Sequence, residues 1–386
     1  MSHEAIQEFI ELMRKKYLEA VKFKKAWILD QVCEVCGFTR DHARKVLTKR
    51  SRIRKKRSGP PRKYGALVCK HAVNLWVKMG YMCSKRMKAA LPMWLPHYYE
   101  VDCTDEVRRQ LLEMSAPTID RVMAPFRRQH HKGLSSTRSN RALRNTIPLK
   151  LLGEIHFKPG FVEADTVAHC GTSLSGEFIY SLTVTDLATG WTENRAVWNK
   201  RATDILEQIQ DIERTVPFDL AGFSSDNGGE FLNLGLVQYF QDPKRKTPVP
   251  MTRGRAYRKN DNPHVEQKNY THVRQLFGYN RFDRKEYVAV MNEIYKKYWN
   301  PLRNYFHPSI KLVKKDRIGS KIKKTYDEPQ APYLRLLRSP FVSIRHKQAI
   351  REQFKKLDPF SLQNLIVQSI NHLNELYRKS QEGMVA

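Results

Sequence analysis

Apolar residues recur at helical spacing through the first third of the chain, and short turns interrupt them. In the first unit, Ile28, Val32 and Val35 share one face of a predicted helix that stops at Gly37. A second helix begins at Thr39, a residue type that caps helix N-termini well. Helix, short turn and basic helix is the plan of a helix-turn-helix. Three such units are predicted, over residues 23–49, 68–91 and 107–123.

From Gly160 onward, apolar and polar residues alternate with period two, which is typical of strands. Three consecutive strands are expected first, and then helix and strand alternate until a long helix begins near Pro263. This order is the one expected of an RNase-H-like α/β core with a mixed sheet flanked by helices. The predicted strands cover residues 161–167, 177–186, 190–198, 220–225 and 248–253, and the helices between them cover 202–215 and 232–241.

The last hundred residues continue with a helix over 284–305 that is rich in aromatic side chains. We interpret its aromatic stripe as core or an oligomer contact rather than a base-stacking surface. A basic segment with proline breaks, 310–345, is a candidate DNA-contacting module, and residues 350–377 predict a helical hairpin for assembly. The domains predicted are a helix-turn-helix (1–58), a second helical region with a linker (59–150), the catalytic core (151–310) and a small C-terminal module (311–386).

Charge divides the 386 residues into three blocks. The net charge of +30 is split into +20 over residues 1–150, −8 over residues 161–240 and +18 over residues 241–386. A strongly basic chain predicts a polyanionic partner, double-stranded DNA above all. A protein that only binds DNA has no electrostatic reason to concentrate carboxylates in its middle. An enzyme that holds cations beside a phosphate does.

Neither a membrane span nor a disulfide scaffold is expected. The chain has no apolar run of the roughly 20 residues that a spanning helix needs, and its N-terminus is acidic where a signal peptide would be basic. Six scattered cysteines favour a reduced, cytoplasmic and nucleoid-associated protein. Cys33 and Cys36 form a Cys-x-x-Cys pair without a matching histidine pair, so we interpret them as buried thiols rather than as zinc ligands.

Basic residues of the first block are candidates for DNA contacts. Several follow the turns of the predicted helix-turn-helix units, and others form an arm before a Pro-Pro pair, where they would track phosphates or enter a minor groove. The alternative is a helical bundle with a solvated basic face. The candidates are Arg40, Arg44 and Lys45, then Arg54, Lys55, Lys56 and Arg57 of the arm, then Lys85 and Arg86.

Three carboxylates stand out by their context. Asp165 lies within the first predicted strand among apolar neighbours, where an unpaired charge is costly and should have a partner such as a cation. Asp226 ends a short strand before Asn-Gly-Gly, and Glu266 lies in the first turns of a helix that Asn262 caps. Alone, these residues could be a buried ion pair, a turn aspartate and an exposed helix charge. Together they are candidate catalytic residues and metal ligands.

Oxygen ligands of this kind suit Mg²⁺ or Mn²⁺. Two such ions, about 4 Å apart, activate the nucleophile and stabilise the leaving oxygen of a phosphoryl displacement. The nucleophile is water or a DNA 3′-hydroxyl, so one site can both cut and join DNA.

The sequence resembles the integrase-core DDE transposases, the bacterial insertion-sequence relatives of retroviral integrases. The resemblance covers about residues 20–310. It implies an RNase-H-like fold, Asp165, Asp226 and Glu266 as metal ligands, and transposition of an insertion element. The interval of 40 residues between the last two carboxylates is slightly longer than in retroviral integrases, and we place the extra residues in the loop 254–261. The matching segments are Val-Glu-Ala-Asp-Thr-Val-Ala-His-Cys-Gly at 162–171, Ser-Asp-Asn-Gly-Gly-Glu-Phe at 225–231, Thr-Arg at 252–253, Lys-Asn-Asp-Asn at 259–262 and Val-Glu-Gln-Lys-Asn at 265–269.

Further DNA contacts are expected around these carboxylates. A basic loop between Asp226 and Glu266 would hold phosphates near the cleaved bond, unless it is simply solvated. Asn269, Tyr270 and Arg274 share the helix face of Glu266 and could contact the DNA end. His169 is a weaker candidate for the border of the site. The basic residues of the loop are Arg253, Arg255, Arg258 and Lys259.

The function expected from the sequence is a DNA transposase or integrase. It would hydrolyse phosphodiesters at the ends of a mobile element and transfer the 3′-hydroxyls to target DNA. Because two ends are joined at once, a homo-oligomer is expected. One alternative is a catalytically inert DNA-binding regulator derived from a transposase. Another is a nuclease for RNA–DNA hybrids, which would not need the three helix-turn-helix units.

Overall fold

The computed structural model describes residues 3–48, 63–127, 158–225, 230–231, 233–253, 263–318 and 321–382. The chain divides into two compact units, Met1–Lys63 and Tyr64–Ala386. None of the helices in these ranges is long and apolar enough to cross a membrane.

The first unit is a small group of three helices, α1 (His3–Glu19), α2 (Lys22–Cys36) and α3 (Arg40–Thr48). As predicted, Gly37 ends α2 with a positive φ of 67°. The Thr39 hydroxyl accepts a hydrogen bond from the backbone N–H of His42 at the start of α3, over 3.4 Å. The three helices enclose a core of their own. Its buried members are Tyr17, Ile28, Leu29, Val32, Ala43 and Leu47.

Four helices open the second unit. They are α4 (Ala66–Lys78), α5 (Ser84–Trp94), α6 (Asp105–Glu113) and α7 (Ala116–Arg127). The fully buried Trp94 side chain at the end of α5 donates its indole N–H to the carbonyl of Phe306 over 3.0 Å. It also packs edge-on against Phe360. These helices therefore share one continuous apolar core with the rest of the unit.

A five-stranded mixed sheet follows, with the strand order β3-β2-β1-β4-β5. Strands β1, β2 and β3 are antiparallel neighbours, whereas β4 runs parallel to β1 and β5 runs parallel to β4. The order and directions confirm the predicted mixed sheet flanked by helices and fit the RNase-H-like fold. The strands are β1 (Phe161–Ala168), β2 (Ile179–Asp186), β3 (Thr192–Trp198), β4 (Gly222–Ser225) and β5 (Met251–Arg253), and the helices among them are α8 (Ala202–Thr215) and α9 (Leu234–Phe240).

Two glycines let the chain pass close to itself beside β1. Gly160 has a φ of +111°, and a Cβ there would lie 2.3 Å from the carbonyl oxygen of Asp219. A Cβ on Gly222 would lie 2.4 Å from the ring of Phe161. No larger residue fits at either position without a shift of the backbone or of a ring, so these glycines fix how closely β4 approaches β1.

Helices with π-helical turns cover one side of the sheet. The helix α10 (Pro263–Lys268) continues through the π-helical residues Asn269–Arg274 into α11 (Gln275–Phe277). After α12 (Tyr287–Glu293), π-helical turns span Ile294–Trp299 and Leu302–Phe306. The aromatic stripe here is core, as predicted, because Tyr287, Tyr295, Tyr305 and Phe306 are almost completely buried. We call residues 263–277 the Glu266 helix and residues 287–306 the aromatic helix.

The remaining elements form the C-terminal part of the second unit. A two-stranded antiparallel ribbon, β6 (Leu312–Ile318) and β7 (Lys321–Tyr326), is not predicted by the sequence pattern. Three helices follow it. The last two together span residues 344–382, a longer segment than the helical hairpin predicted over 350–377. The three helices are α13 (Pro332–Arg338), α14 (Ile344–Lys355) and α15 (Pro359–Glu382).

Candidate active site

Asp165 lies in the middle of the central strand β1, opposite Thr183 of β2. Asp165 is half-buried, and its carboxylate accepts hydrogen bonds from two of the described residues. One oxygen accepts the backbone N–H of Thr166 over 2.8 Å, and the other accepts the side-chain amide of Asn269 over 2.6 Å. The sequence analysis expects a partner for this carboxylate, and one described partner is the side-chain amide of Asn269 on the Glu266 helix.

Asn269 brings the Glu266 helix to the first carboxylate. Glu266 precedes Asn269 by three residues, so its backbone lies one helical turn earlier on the same face. The side chain of Glu266 lies outside the described residues, but the helix that carries it is fixed against β1. The structure therefore places two of the three predicted carboxylate positions on adjoining elements.

A buried glutamate fixes the start of the same helix. Glu163, two residues before Asp165 on β1, is only 4% exposed. Its Oε2 accepts the backbone N–H of Val265 over 3.1 Å, near the first turn of α10. The N–H groups at a helix start have no partner within the helix, and a carboxylate there is favourable. The sequence analysis missed this role, because alternation along β1 marks Glu163 only as a polar strand residue.

The strand β4 ends beside β1, next to the position of Asp165. Ser225, its last residue, is buried and lies opposite Ala164, the residue before Asp165. The next residue in the chain is Asp226, which lies outside the described residues together with residues 227–229. Asp226 thus follows directly in sequence after a residue that pairs with Ala164, the neighbour of Asp165 in β1.

Glu230 is a further acidic residue near the end of β1 that the sequence analysis did not assign. It is 7% exposed, and its Oε1 accepts the Thr166 hydroxyl over 3.3 Å. The same oxygen lies 3.4 Å from Nζ of Lys200. Glu230, which follows β4 in the sequence, therefore fixes the side chain of Thr166, the residue next to Asp165, by a hydrogen bond.

The donor set around Asp165 fits a hard divalent cation. The side-chain oxygen of Asn269 is buried and has no hydrogen-bond partner among the described residues, although it lies beside the carboxylate of Asp165. Carboxylate and amide oxygens are the ligands that Mg²⁺ and Mn²⁺ prefer. The described side chains, which do not include Asp226 or Glu266, contain no group of three or more potential metal ligands.

A curated relative identifies the family. The uncharacterized protein y4rM of Sinorhizobium fredii is 35% identical to this chain over 347 residues, which is 85% of this chain and 94% of y4rM. The chain belongs to the y4rM family. No protein-family model matches the sequence.

Solved structures similar to this y4rM-family chain include retroviral integrases. The catalytic core domain of BIV integrase matches 31% of the chain and 68% of its own length, at 13% identity and a TM-score of 0.23. The HTLV-2 integrase catalytic core domain in complex with magnesium matches 40% and 92%, at 11% identity and a TM-score of 0.29. A simian T-cell lymphotropic virus intasome in complex with the PP2A regulatory subunit B56 gamma matches 44% and 54%, at 11% identity and a TM-score of 0.27. At these TM-scores the likeness adds no argument, and the fold assignment rests on the strand order and directions.

Two other predicted neighbours of the site take structural positions in this y4rM-family chain. Arg274 donates to the carbonyl of Ala168 over 2.8 Å and stacks over the ring of Tyr279, so it ties the end of β1 to the Glu266 helix. His169 is completely buried, its Nε2 lies 2.8 Å from the Ser181 hydroxyl, and burial lowers its pKa to about 3. His169 therefore belongs to the core and does not border the site.

The predicted DNA-contacting residues fall into three groups. In the first unit, Arg44 and Lys45 are exposed on α3, and Arg40 is exposed but pairs with Asp30. In the second unit, Lys85 is exposed, whereas the half-buried Arg86 donates to the carbonyl of Pro308 over 2.5 Å. The third group lies outside the described residues and comprises Arg54, Lys55, Lys56, Arg57, Arg255, Arg258, Lys259 and the side chain of Arg253.

The Cys-x-x-Cys pair lies in α2 as two half-buried free thiols. Burial, together with the charge of Cys33, raises the pKa of the Cys36 thiol. No third metal-binding side chain joins the pair in the described part of the chain.

Proposed function

We propose that this chain is a metal-dependent polynucleotidyl transferase, a DNA transposase or integrase that uses Asp165, Asp226 and Glu266. The observation that carries the proposal is the hydrogen bond of 2.6 Å from Asn269 to Asp165. It joins the strand of the first carboxylate to the helix of the third. The neighbouring strand β4 ends at Ser225, directly before the second carboxylate.

The residues of the site would hold and orient the reacting groups. Asp165 and the unpartnered amide oxygen of Asn269 would contribute oxygen ligands, together with Asp226 and Glu266. Two bound Mg²⁺ or Mn²⁺ ions would supply activation of the attacking oxygen and stabilisation of the leaving one. Glu163 would keep the Glu266 helix in place from the interior, because its carboxylate binds the helix start away from solvent.

DNA would be bound by basic surfaces on both units. The exposed Arg44 and Lys45 of α3 support recognition of element ends by the first helix-turn-helix unit. The ribbon β6–β7 has exposed lysines, among them Lys314, Lys323 and Lys324. A two-stranded ribbon fits the major groove of B-DNA, which supports the prediction that residues 310–345 contact DNA. Joining two ends at once would require a homo-oligomer.

A strand-transfer assay tests the proposal. Duplexes with the inverted repeats that flank the gene would be incubated with target DNA and Mn²⁺ or Mg²⁺. We expect joined products from the wild type, and none when EDTA removes the metal. Asp226→Asn should lower the rate by more than about a hundredfold, since a metal ligand that carries charge is lost. The matched control, Asp219→Asn, changes an exposed aspartate just before β4 and should leave the rate unchanged.

The outcome separates the proposal from its alternatives. Equal activity of the wild type and Asp226→Asn contradicts the assignment of the site. Specific binding to the repeats without any nicking in Mn²⁺ identifies the inert DNA-binding regulator. Degradation of RNA–DNA hybrids without joined products identifies the plain nuclease.

A further inference from the structure

Two exposed apolar side chains lie beyond the carboxyl end of β1. Leu174, in the loop between β1 and β2, is 78% exposed, and Tyr279, shortly after the Glu266 helix, is 67% exposed. The two loops that carry them run side by side, because Cys170 and Arg281 form an antiparallel bridge. We call Leu174 and Tyr279 the exposed rim.

Arg281 holds the loop between β1 and β2 in one shape. Its guanidinium group donates to the carbonyls of Cys170, Ser173 and Ser175 over 3.2, 2.8 and 2.6 Å. Fixing these backbone groups in advance lowers the entropic cost of binding a ligand at the loop. The loop therefore presents its exposed leucine at a defined position.

Arg274 fixes the ring of Tyr279 from one side. The guanidinium carbon of Arg274 lies 4.8 Å from the ring centroid, and the same group donates to the carbonyl of Ala168 over 2.8 Å. The π-electrons of a ring attract a cation that lies over it, so Arg274 draws electron density to the face that it covers. Because Tyr279 stays largely exposed, the opposite face is open to solvent, and it is electron-poor.

The exposed rim lies on the same side of the sheet as the candidate active site. Asn269 and Arg274 both belong to the Glu266 helix, and they contact Asp165 and the carbonyl of Ala168. From Asp165 to Ala168, β1 advances about 10 Å at roughly 3.3 Å per residue. This length is about three base steps of a DNA strand at about 3.4 Å each. A DNA strand with a phosphodiester at Asp165 would therefore reach the rim.

We propose that the exposed rim binds an unpaired DNA base beside the candidate active site, with the base stacked on the open face of Tyr279 and Leu174 next to it. The proposal rests on the proposed function, which brings DNA to this site. Inside a duplex, neighbouring bases cover both faces of each base. A base that leaves the duplex loses these partners, and an aromatic side chain replaces them. The electron-poor face of the ring favours a purine.

A second copy of the chain is a weaker candidate for the occupant. A stable interface buries about 800 Å² on each partner. Two side chains at the tips of neighbouring loops supply only a small part of such an area, whereas one phenol ring matches the size of one base. The observations therefore favour a single base over a protein surface.

Binding of a fluorescent DNA end to the full chain tests the proposal. The probe is a duplex with a short single-stranded extension that contains 2-aminopurine, and EDTA prevents cleavage. Stacking quenches this base, so its fluorescence should fall when the wild type binds. The wild type should also bind the extended duplex about tenfold more tightly than a blunt one. Tyr279→Leu, which keeps an apolar side chain beside Arg274 but has no ring, should abolish both effects. Tyr279→Phe should keep them.

The control variant is Tyr99→Leu, which changes an exposed tyrosine between α5 and α6 and should leave the response unchanged. Probes with the extension on the 3′ or on the 5′ strand are compared, and quenching of either supports the rim. A response that Tyr279→Leu retains overturns the proposal, and if this variant does not fold, absence of quenching by the wild type does so. A changed oligomeric state of Tyr279→Leu in light scattering, with its fluorescence response intact, would identify an interface between copies instead.

The strand-transfer assay separates this proposal from the proposed function. Joined products without the 2-aminopurine response contradict the exposed rim alone. A fluorescence response that depends on the ring of Tyr279, without joined products, contradicts the proposed catalytic function alone.

Discussion

Asn269 is the residue on which the geometry of the candidate site depends most directly. Its amide N–H group donates to the carboxylate of Asp165, and its amide oxygen is buried without a hydrogen-bond partner in the part of the chain that the structure describes. The orientation follows from the bond itself, since a carboxylate accepts and cannot donate. Asn269 is thus a positioning residue for Asp165 that also offers an oxygen to a cation.

Replacement of Asn269 with alanine should lower strand transfer about 10- to 100-fold, the usual cost of losing a group that orients a metal ligand. The Mn²⁺ concentration for half-maximal activity should rise, whereas the Tm should change little. The measurement is a metal titration of initial rates. Thr271→Ala is the control, because that hydroxyl donates to the carbonyl of Gln267 on the same helix and contacts neither Asp165 nor another described residue of the candidate site. An unchanged metal requirement in Asn269→Ala would contradict the positioning role.

The sequence pattern predicts the helix face of Asn269 but not its hydrogen bond to Asp165. Helical spacing places it on the face of Glu266, and for that reason a DNA contact was expected. Spacing cannot give its distance from Asp165, because the two residues are separated by about a hundred positions and meet only through folding. Glu163 was missed for the same reason: its partner, Val265, lies on another element. Sequence periodicity predicts which residues share one face of a helix or strand. The role of a residue such as Asn269 or Glu163 depends on contacts with positions far away in the sequence, which periodicity does not give.

At the scale of elements, the outer edge of strand β3 is covered by side chains of the aromatic helix. They bind backbone N–H and C=O groups of β3 that a further strand would otherwise pair with. Three asparagines each accept a backbone N–H and donate to the carbonyl of one β3 residue. Exposed strand edges invite pairing with other chains, and covering them with a helix prevents this. The pairs are Asn292 with Ala196, Asn300 with Asn194 and Asn304 with Thr192.

Asn304→Ala should destabilise the second unit by about 3 kcal/mol, because both backbone groups of the buried Thr192 lose partners. Urea unfolding of the full chain measures the change. Asn364→Ala removes an exposed asparagine of α15 and should shift the stability by less than about 0.5 kcal/mol. Similar midpoints for the two variants would show that the asparagine pairs contribute no stability.

Elements with one buried face were predictable, and those without such a face were not. Strands β1 to β3 and the helix α8 lie close to their predicted bounds, since alternation or helical spacing marks the face that meets the core. The ribbon β6–β7 has no such signal, because Lys314, Lys323 and Lys324 are exposed and the pairing is made by the backbone. Asn292, Asn300 and Asn304 recur at helical spacing, but polar residues on one helix face resemble a solvated face, so the pattern does not reveal the strand edge that they cover.

At the scale of the whole molecule, the two compact units differ in charge and in the size of their cores. Residues 1–63 carry 18 Lys and Arg against 7 Asp and Glu, a net charge of +11 out of +30. The apolar cluster of the first unit has six buried residues among those described. The second unit encloses much larger clusters around the sheet. The first unit is therefore a small and highly basic module. Under the proposed function, its contribution to DNA binding should be mainly electrostatic.

Salt dependence of DNA affinity measures that contribution. Each phosphate neutralised by a lysine or arginine releases counterions, which adds about −0.9 to the slope of log K against log salt. If α3 contacts DNA, the double variant Arg44→Gln, Lys45→Gln should lose about two contacts and become shallower by about 1.8. Lys15→Gln, Lys16→Gln removes the same charge from exposed positions of α1. Fluorescence anisotropy with one duplex over a salt series compares them. Both variants change the net charge equally. A shallower slope in the α3 variant alone would therefore show that Arg44 and Lys45 contact DNA phosphates. Equal slopes in the two variants would show that α3 presents only a solvated basic face.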